Sequence, residues 1–145
     1  MEIDLKNYIN QLDDYKPIKN SFGEDDWIGL EEILNSIYEA NLEEKCLNSM
    51  FRIYERYPCE DNDILWGMLH GIESIPNYEN ELLKSIERQP SFFTTLMINR
   101  ILNANISNIE GQSLMDILFK IQSDSRTPIY VKECAGSWIL RRSNL

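Results

Sequence analysis

The sequence predicts an all-α fold of about eight helices, and three observations lead to this prediction. Apolar residues recur at steps of three and four along almost the whole chain, which is the period of an amphipathic helix. No alternating run bounded by hairpin-type turns is apparent, and the chain has a single valine. Prolines and short polar turns separate the periodic segments at the spacing of ordinary helices. With no linker or low-complexity run, residues 1–145 are expected to form a single helical domain.

The first four predicted helices have start or stop signals of their own. Asn, Ser and Asp accept hydrogen bonds from free amides at a helix start, and proline ends a helix. These helices are the first, with the stripe Leu5–Leu12; the second, from near Asp25 behind the capping-box pair Ser21 and Glu24; the third, from the N-cap Asn41 to Pro58; and the fourth, from the polar turn 59–62 to Pro76.

The last four predicted helices follow the same rules. Asparagine also tolerates the left-handed conformation that ends helices, and proline is favoured at the first helical position. These helices are the fifth, from Asn77 to Pro90; the sixth, from Ser91 to the asparagines Asn103 and Asn105; the seventh, after Gly111; and the eighth, with Thr127 as cap and Pro128 at its first position. Short connections imply antiparallel hairpins, which either stack as a short HEAT-like solenoid or close into a globular bundle.

The charge of the chain restricts its partners. It has 14 Lys and Arg against 24 Asp and Glu, a net charge of −10 and a pI near 4.5. Such a surface repels nucleic acids and anionic membranes, because both are bound through basic side chains. Residues 1–90 hold 20 acidic and 8 basic residues, net −12, so the acidity belongs to the first part of the chain. This charge either keeps the protein soluble or docks a basic protein partner.

The ends and the cysteines indicate a reducing, cytoplasmic environment. The N-terminus is acidic where a signal peptide would be basic, and no apolar run is long enough to span a membrane. Three widely spaced cysteines with one histidine do not match a zinc site. We expect Cys46 and Cys134 to be core residues and Cys59 to be exposed. No metal or cofactor is expected.

Catalytic motifs are absent from the sequence, so the chain is not expected to be an enzyme. His70 is the only histidine and lies one helical turn before Glu73, with no third group to complete a triad. A hydrogen bond between His70 and Glu73, or to the backbone, is the preferred interpretation. The alternative hypothesis of a small His-dependent enzyme depends on His70 alone. Gly67 and Gly71 predict close helix packing, with contact to a partner as the alternative.

The acidic side chains form the candidate partner-binding surface. In a stacked arrangement, the starts of the second and fourth helices lie on the same edge and present their acids together. Such a surface steers a basic partner towards rapid association. The candidate partner-binding residues are Asp25, Asp26, Glu31, Glu32, Glu60, Asp61, Asp63, His70 and Glu73.

The central third of the chain resembles a family of α-helical immunity proteins. The similarity lies in the run WGMLHGIES at 66–74, in Tyr78, in Leu82–Leu83, in Pro90 and in the run NRILN at 99–103. The family belongs to bacterial polymorphic-toxin and contact-dependent growth inhibition (CDI) systems. The similarity spans about residues 64–121.

The resemblance implies a cytosolic protein that binds a cognate toxin domain and blocks its active site or substrate surface, often that of a nuclease. It makes His70, Glu73, Asn99, Arg100 and Asn103 characteristic positions, and we expect Asn99 and Asn103 to brace a neighbouring helix. The alternative function is a helical-repeat scaffold that binds a protein unrelated to toxins. The oligomeric state is not predicted.

Overall fold

The computed structural model describes residues 2–143, and most of them lie in α-helices. The all-α prediction is confirmed, whereas HEAT-like stacking stays a prediction. A 3₁₀ turn at Glu44–Cys46 precedes the third helix. The eight helices of the described residues are α1 (Glu2–Asp13), α2 (Ile28–Glu39), α3 (Leu47–Arg56), α4 (Asp63–Glu73), α5 (Tyr78–Arg88), α6 (Phe92–Asn103), α7 (Leu114–Ser123) and α8 (Ile129–Ser143).

Two short antiparallel hairpins lie between helices, although the sequence predicts none. The first pairs β1 (Ile18–Lys19) with β2 (Asp25–Asp26), and the second pairs β3 (Asn108–Ile109) with β4 (Gln112–Ser113). Each strand has only two residues, which is too short to show an alternating pattern. The turn signal of the second hairpin is the pair Glu110 and Gly111 between its strands, both with positive φ, as a two-residue hairpin turn requires.

The first hairpin displaces the start of the second helix. The Asn20 side-chain Oδ1 accepts hydrogen bonds from the backbone amides of Phe22 (2.8 Å) and Glu24 (3.0 Å). These amides are therefore engaged in the hairpin loop and cannot begin a helix. The predicted capping box of Ser21 and Glu24 does not form, and α2 begins at Ile28 rather than near residue 25.

Asn41 ends α2 and does not begin α3. Its φ of 56° places it in the left-handed region. The amide of Asn41 donates to the carbonyl of Tyr38 (3.0 Å), and the amide of Leu42 donates to the carbonyl of Ile37 (3.1 Å). This pair of bonds is a Schellman motif, which occupies the last carbonyls of the helix. The predicted N-cap at Asn41 is therefore wrong.

The other terminal signals have mixed outcomes. Ser91 caps α6 in a reciprocal capping box with Thr94, as its position predicts, and Asn105 ends that helix with a φ of 66°. Asn77 has a φ of 62° instead of the extended conformation of an N-cap. The predicted Thr127 cap is wrong, because its buried hydroxyl has no hydrogen-bond partner among the described residues. α8 begins at Ile129, one residue later than predicted. The carbonyl oxygen of Pro128 accepts a hydrogen bond from the amide of Lys132 in the first turn of α8 (3.0 Å).

The chain divides into two compact units, and the division falls within α3. Unit 1 runs up to Ile53 and continues from Asn62 to Tyr78, so it contains α1, the first hairpin, α2, most of α3 and α4. Unit 2 comprises Tyr54–Asp61 and the chain from Glu79, with α5 to α8. Each unit has buried apolar side chains of its own.

The core of unit 1 is formed by the apolar stripes of its helices. α2 packs against α1 and against α4. The rings of Tyr15 and Trp27, 5.7 Å apart between centroids, pack together before α2 begins. The side chains that are completely buried include Leu12, Leu30, Ile37, Met50, Leu65, Met68, Leu69 and Ile72.

The core of unit 2 surrounds α6. Every residue from Phe92 to Asn99 is buried, so α6 has no solvent-facing stripe. The first two turns of α6 are therefore enclosed by other side chains, whereas Asn103 in its last turn is exposed. Phe93 stacks on Tyr54 with ring centroids 4.8 Å apart, and α7 and α8 both pack against α6.

Two polar clusters hold the helices of unit 2 together. The Glu55 carboxylate accepts two bonds from Arg88 (Nε to Oε1, 3.0 Å; Nη2 to Oε2, 2.9 Å) and one from the Ser85 hydroxyl (2.7 Å). Arg142 of α8 donates to Oδ1 of Asn99 (2.5 Å) and to Oδ1 of Asn103 (2.6 Å) on α6. The prediction that these asparagines brace a neighbouring helix is confirmed.

The cysteines follow the sequence prediction at two positions of three. Cys46 is buried and Cys59 is exposed, whereas Cys134 is only half-buried and is not a core residue. Burial, with smaller contributions from the charges of Glu43 and Asp13, raises the pKa of the Cys46 thiol to about 11. This thiol is therefore protonated at neutral pH and is a poor nucleophile. Among the described residues, no helix combines the length and apolarity needed to cross a membrane.

We expect Arg142→Ala to lower the free energy of unfolding by about 1–3 kcal/mol, because it leaves the buried amide of Asn99 without its donor. Arg141→Ala is the matched control, since the neighbouring side chain is exposed, and it should change stability by less than about 0.5 kcal/mol. Urea denaturation followed by circular dichroism measures both. Equal stabilities for the two variants would show that the α6–α8 brace contributes nothing.

Candidate interaction groove

The negative charge is concentrated in unit 1. Its residues include 14 Asp and Glu against 5 Lys and Arg, a net charge of −9. Unit 2 holds the remaining 10 acidic and 9 basic residues, a net charge of −1. The sequence alone places the acidity in residues 1–90, and the structure assigns nearly all of it to one compact unit.

Within unit 1, the Tyr38 side chain of α2 lies over Gly71 of α4. A Cβ on Gly71 would be 2.9 Å from Cζ of Tyr38 and closer still to its hydroxyl oxygen. Only glycine leaves room for the ring at this distance. The packing interpretation of Gly71 is therefore confirmed. Gly67 differs, because a Cβ there would meet no atom within 4 Å.

One side of the Tyr38–Gly71 contact opens into an acidic groove, which we define by Glu31, Asn35, Tyr38, Asp63 and Gly67. Its volume is about 180 Å³. Glu31 lies in the first turn of α2 and Asp63 in the first turn of α4. The prediction that the starts of the second and fourth helices present their acids together is confirmed for this pair.

The other side of the contact opens into a cleft of about 230 Å³, lined by Tyr38, Glu43, Glu44, Gly71 and Ser74 among others. The cleft lies at the C-terminal ends of α2 and α4. Neither the hydroxyl of Tyr38 nor Oε2 of Glu43 has a hydrogen-bond partner among the described residues, and each exposes less than 1 Å². Burial and the charge of Glu43 raise the pKa of Tyr38, so its hydroxyl is protonated at neutral pH.

The acids of the first hairpin have structural roles. Asp25 forms a salt bridge with Lys19 across the strands at 2.8 Å, with both side chains well exposed. Oδ1 of Asp26 accepts a hydrogen bond from the amide of Ile28 (2.8 Å) at the start of α2. An exposed salt bridge such as that between Lys19 and Asp25 contributes little to the free energy of folding. The predicted function of Asp25 and Asp26 in partner binding stays a prediction.

The remaining acidic candidates lie outside the lining of the acidic groove. Glu32 is exposed on α2, outside the acidic groove. Glu60 and Asp61 lie in the turn after α3 and belong to unit 2. The acidic groove thus unites two of the predicted partner-binding residues, Glu31 and Asp63, and the others do not line it.

His70 and Glu73 lie one turn apart on α4. Nδ1 of His70 is 3.8 Å from Oε1 of Glu73, too long for a hydrogen bond, and the His70 side chain is 62% exposed. The His70 ring lies 6.3 Å from the ring of Trp66, one turn earlier. The predicted proximity of His70 and Glu73 is confirmed, but their direct hydrogen bond is not present.

Two features of unit 1 escape the sequence-based prediction. Phe22 at the tip of the first hairpin is 84% exposed, and Ile18 on β1 is 73% exposed. The signal for Phe22 is its place before Gly23, which adopts a φ of 78° in the hairpin loop. The second feature is the pair of Tyr38 and Glu43. The helical spacing of apolar residues predicts Tyr38 as a core residue, and nothing in the sequence distinguishes Glu43 from the neighbouring acids.

The groove and the exposed side chains of unit 1 present groups of several kinds. Acidic oxygens, an aromatic hydroxyl and exposed apolar side chains are groups that recognise a basic or amphipathic protein surface. No family model matches the chain, and neither curated proteins nor solved structures show significant similarity to it. The function is therefore inferred from the chemistry of unit 1 and from the resemblance described above.

Replacing Gly71 should destabilise unit 1. In Gly71→Ala the new methyl group collides with the Tyr38 ring, and we expect a loss of about 1–3 kcal/mol in the free energy of unfolding. Gly67→Ala is the matched control on the same helix. It meets open space and removes a helix-interior glycine, so it should gain about 0.5–1 kcal/mol. Thermal or urea unfolding measures both, and the same sign of change for both variants would contradict the close-packing role of Gly71.

Proposed function

We propose that this chain is a non-enzymatic, cytoplasmic immunity protein of a bacterial polymorphic-toxin or CDI system. It binds the C-terminal domain of a cognate toxin and occludes the active site or the substrate surface. The observation that carries the proposal is the segregation of charge, with a net −9 on unit 1 and −1 on unit 2. The similarity of residues 64–121 to immunity proteins supports the same conclusion.

A nuclease is the expected target, because nuclease surfaces are basic where they hold the phosphate backbone. An acidic surface complements such a site and competes with nucleic acid for the same cations. Long-range attraction between opposite charges also raises the association rate. A fast inhibitor protects the cell that carries it before the toxin acts.

Co-expression tests the proposal directly. The chain is produced in bacteria together with the C-terminal toxin domain encoded beside its gene. We expect survival of the cells and co-purification of a stoichiometric complex. Growth arrest combined with the absence of a complex would contradict the proposal. This result would favour the alternative, a scaffold that binds an unrelated protein.

The acidic groove should set the association rate. Glu31→Lys with Asp63→Asn removes the two acids of the groove, and we expect association with the toxin domain to slow by about tenfold at low salt, with a weaker salt dependence. Glu87→Lys with Glu133→Gln changes the net charge equally on exposed positions of unit 2 and serves as the matched control.

Stopped-flow measurements over a range of salt concentrations distinguish the two double variants. Equal slowing by both variants would mean that only the overall charge matters. No slowing by either variant would remove the acidic groove from the encounter surface. Circular dichroism verifies that both variants keep their helical content.

A further inference from the structure

The first hairpin and the residue that follows it carry apolar side chains that the core of unit 1 does not bury. Phe22 at the hairpin tip is 84% exposed, Ile18 on β1 is 73% exposed, and Ile28 at the start of α2 is 56% exposed. Single exposed apolar residues are ordinary on a protein surface. Here three of them lie within residues 18–28, whereas the other large exposed apolar side chains of the described residues are spread over residues 106–140.

The backbone that carries Phe22 is held in place by the hydrogen bonds of Asn20. Oδ1 of Asn20 accepts from the amides of Phe22 (2.8 Å) and Glu24 (3.0 Å), and the amide of Asn20 donates to the carbonyl of Glu24 (2.8 Å). The amide of Gly23 donates to the carbonyl of Asn20 (3.0 Å). Because these bonds already order the loop, a partner that buries the Phe22 ring pays little further backbone entropy.

The base of the hairpin is joined to the core of unit 1. The hydroxyl of Tyr15 donates to the carbonyl of Asp26 (3.4 Å), and the ring of Tyr15 packs on that of Trp27. Both aromatic side chains are buried. Phe22 therefore projects from a support that is part of the folded unit.

The charges of the hairpin indicate which kind of surface can cover it. Residues 18–26 contain three acids and one lysine, a net charge of −2. Lys19 is paired with Asp25 at 2.8 Å, and Glu24, two positions from Phe22, is exposed. Because unit 1 carries a net −9, it repels a second copy of itself and an anionic membrane, and it attracts a basic protein surface.

We propose that Phe22 is the apolar anchor of the complex and inserts into an apolar pocket of the toxin domain whose rim carries Lys or Arg. This inference rests on the proposed function and deepens it, because it names the contact that holds the partner. Aromatic side chains buried at the centre of an interface contribute much of its affinity. The acidic neighbours of Phe22 then face the basic rim of the pocket. The acidic groove governs the rate of association, and the hairpin governs the rate of dissociation.

The dissociation rate of the complex tests the anchor. The toxin domain encoded beside the gene is immobilised, and dissociation of the whole chain is followed by surface plasmon resonance. We expect Phe22→Ala to raise the dissociation rate by about thirtyfold and to change the association rate by less than about twofold. Since Phe22 is exposed in the free chain, the urea midpoint should stay unchanged. Phe119→Ala, at a phenylalanine of unit 2 that is 49% exposed, is the matched control and should leave both rates unchanged.

Asn20 is the positioning residue of the hairpin, and its variants test the support. Asn20→Ala removes the acceptor of two loop amides, whereas Asn20→Asp keeps an oxygen that can accept both hydrogen bonds. We expect Asn20→Ala to weaken the affinity by about fivefold and to expose the bond between Phe22 and Gly23 to chymotrypsin in the free chain. Asn20→Asp should do neither. Equal chymotrypsin cleavage at this bond in the wild type and Asn20→Ala would contradict the ordered support.

The outcomes separate this inference from the proposed function. A wild-type complex that dissociates no more slowly than the Phe22→Ala complex would overturn the anchor and leave the proposed function intact. The absence of any wild-type complex would reject both. Sedimentation velocity of the free chain provides the remaining control, because self-association that Phe22→Ala abolishes would assign the exposed apolar side chains to a second copy and overturn the inference.

Discussion

The packing of the Tyr38 ring on Gly71 is the contact on which the candidate site depends. A tyrosine can lie this close to a helix backbone only where the Cβ is missing, so the contact determines the spacing of α2 and α4. Tyr38 lines both depressions between these helices, the acidic groove on one side and the cleft on the other. The same contact buries the Tyr38 hydroxyl, which raises its pKa and leaves it without a partner among the described residues. One glycine thus fixes the position of the side chain that separates the two depressions.

The two units differ in net charge and in how their buried polar groups are paired. Unit 2 buries residues 92–99 of α6 and pairs several polar side chains between helices, with Glu55 bound by Arg88 and Ser85 and with Asn99 bound by Arg142. Its charges nearly cancel. Unit 1 retains a net charge of −9, and the Tyr38 hydroxyl and Oε2 of Glu43 are buried in it without a hydrogen-bond partner among the described residues.

Helix content follows from local periodicity, and this part of the sequence-based prediction succeeds for all eight helices. Errors occur where one residue type has several roles. Asparagine begins a helix at Asn62, ends helices at Asn41 and Asn105 and closes a hairpin at Asn20. The choice depends on which backbone amides and carbonyls are unoccupied nearby, and a single-sequence pattern does not contain that information. The acidic hairpin around residues 18–26 is misread as a helix start for this reason.

By itself the sequence determines the helical class, the acidity and its bias towards residues 1–90, because composition and period-3.6 spacing act locally along the chain. The tertiary structure decides that Glu31 and Asp63 are the predicted acids that share a groove, that Tyr38 and Glu43 line one cleft, and that Asp25 and Asp26 belong to a hairpin. These residues are 5 to 32 positions apart or are governed by loop hydrogen bonds. The proximity of Glu31 and Asp63 arises from the packing of α2 against α4, which is a property of two surfaces in contact and not of either stretch of sequence.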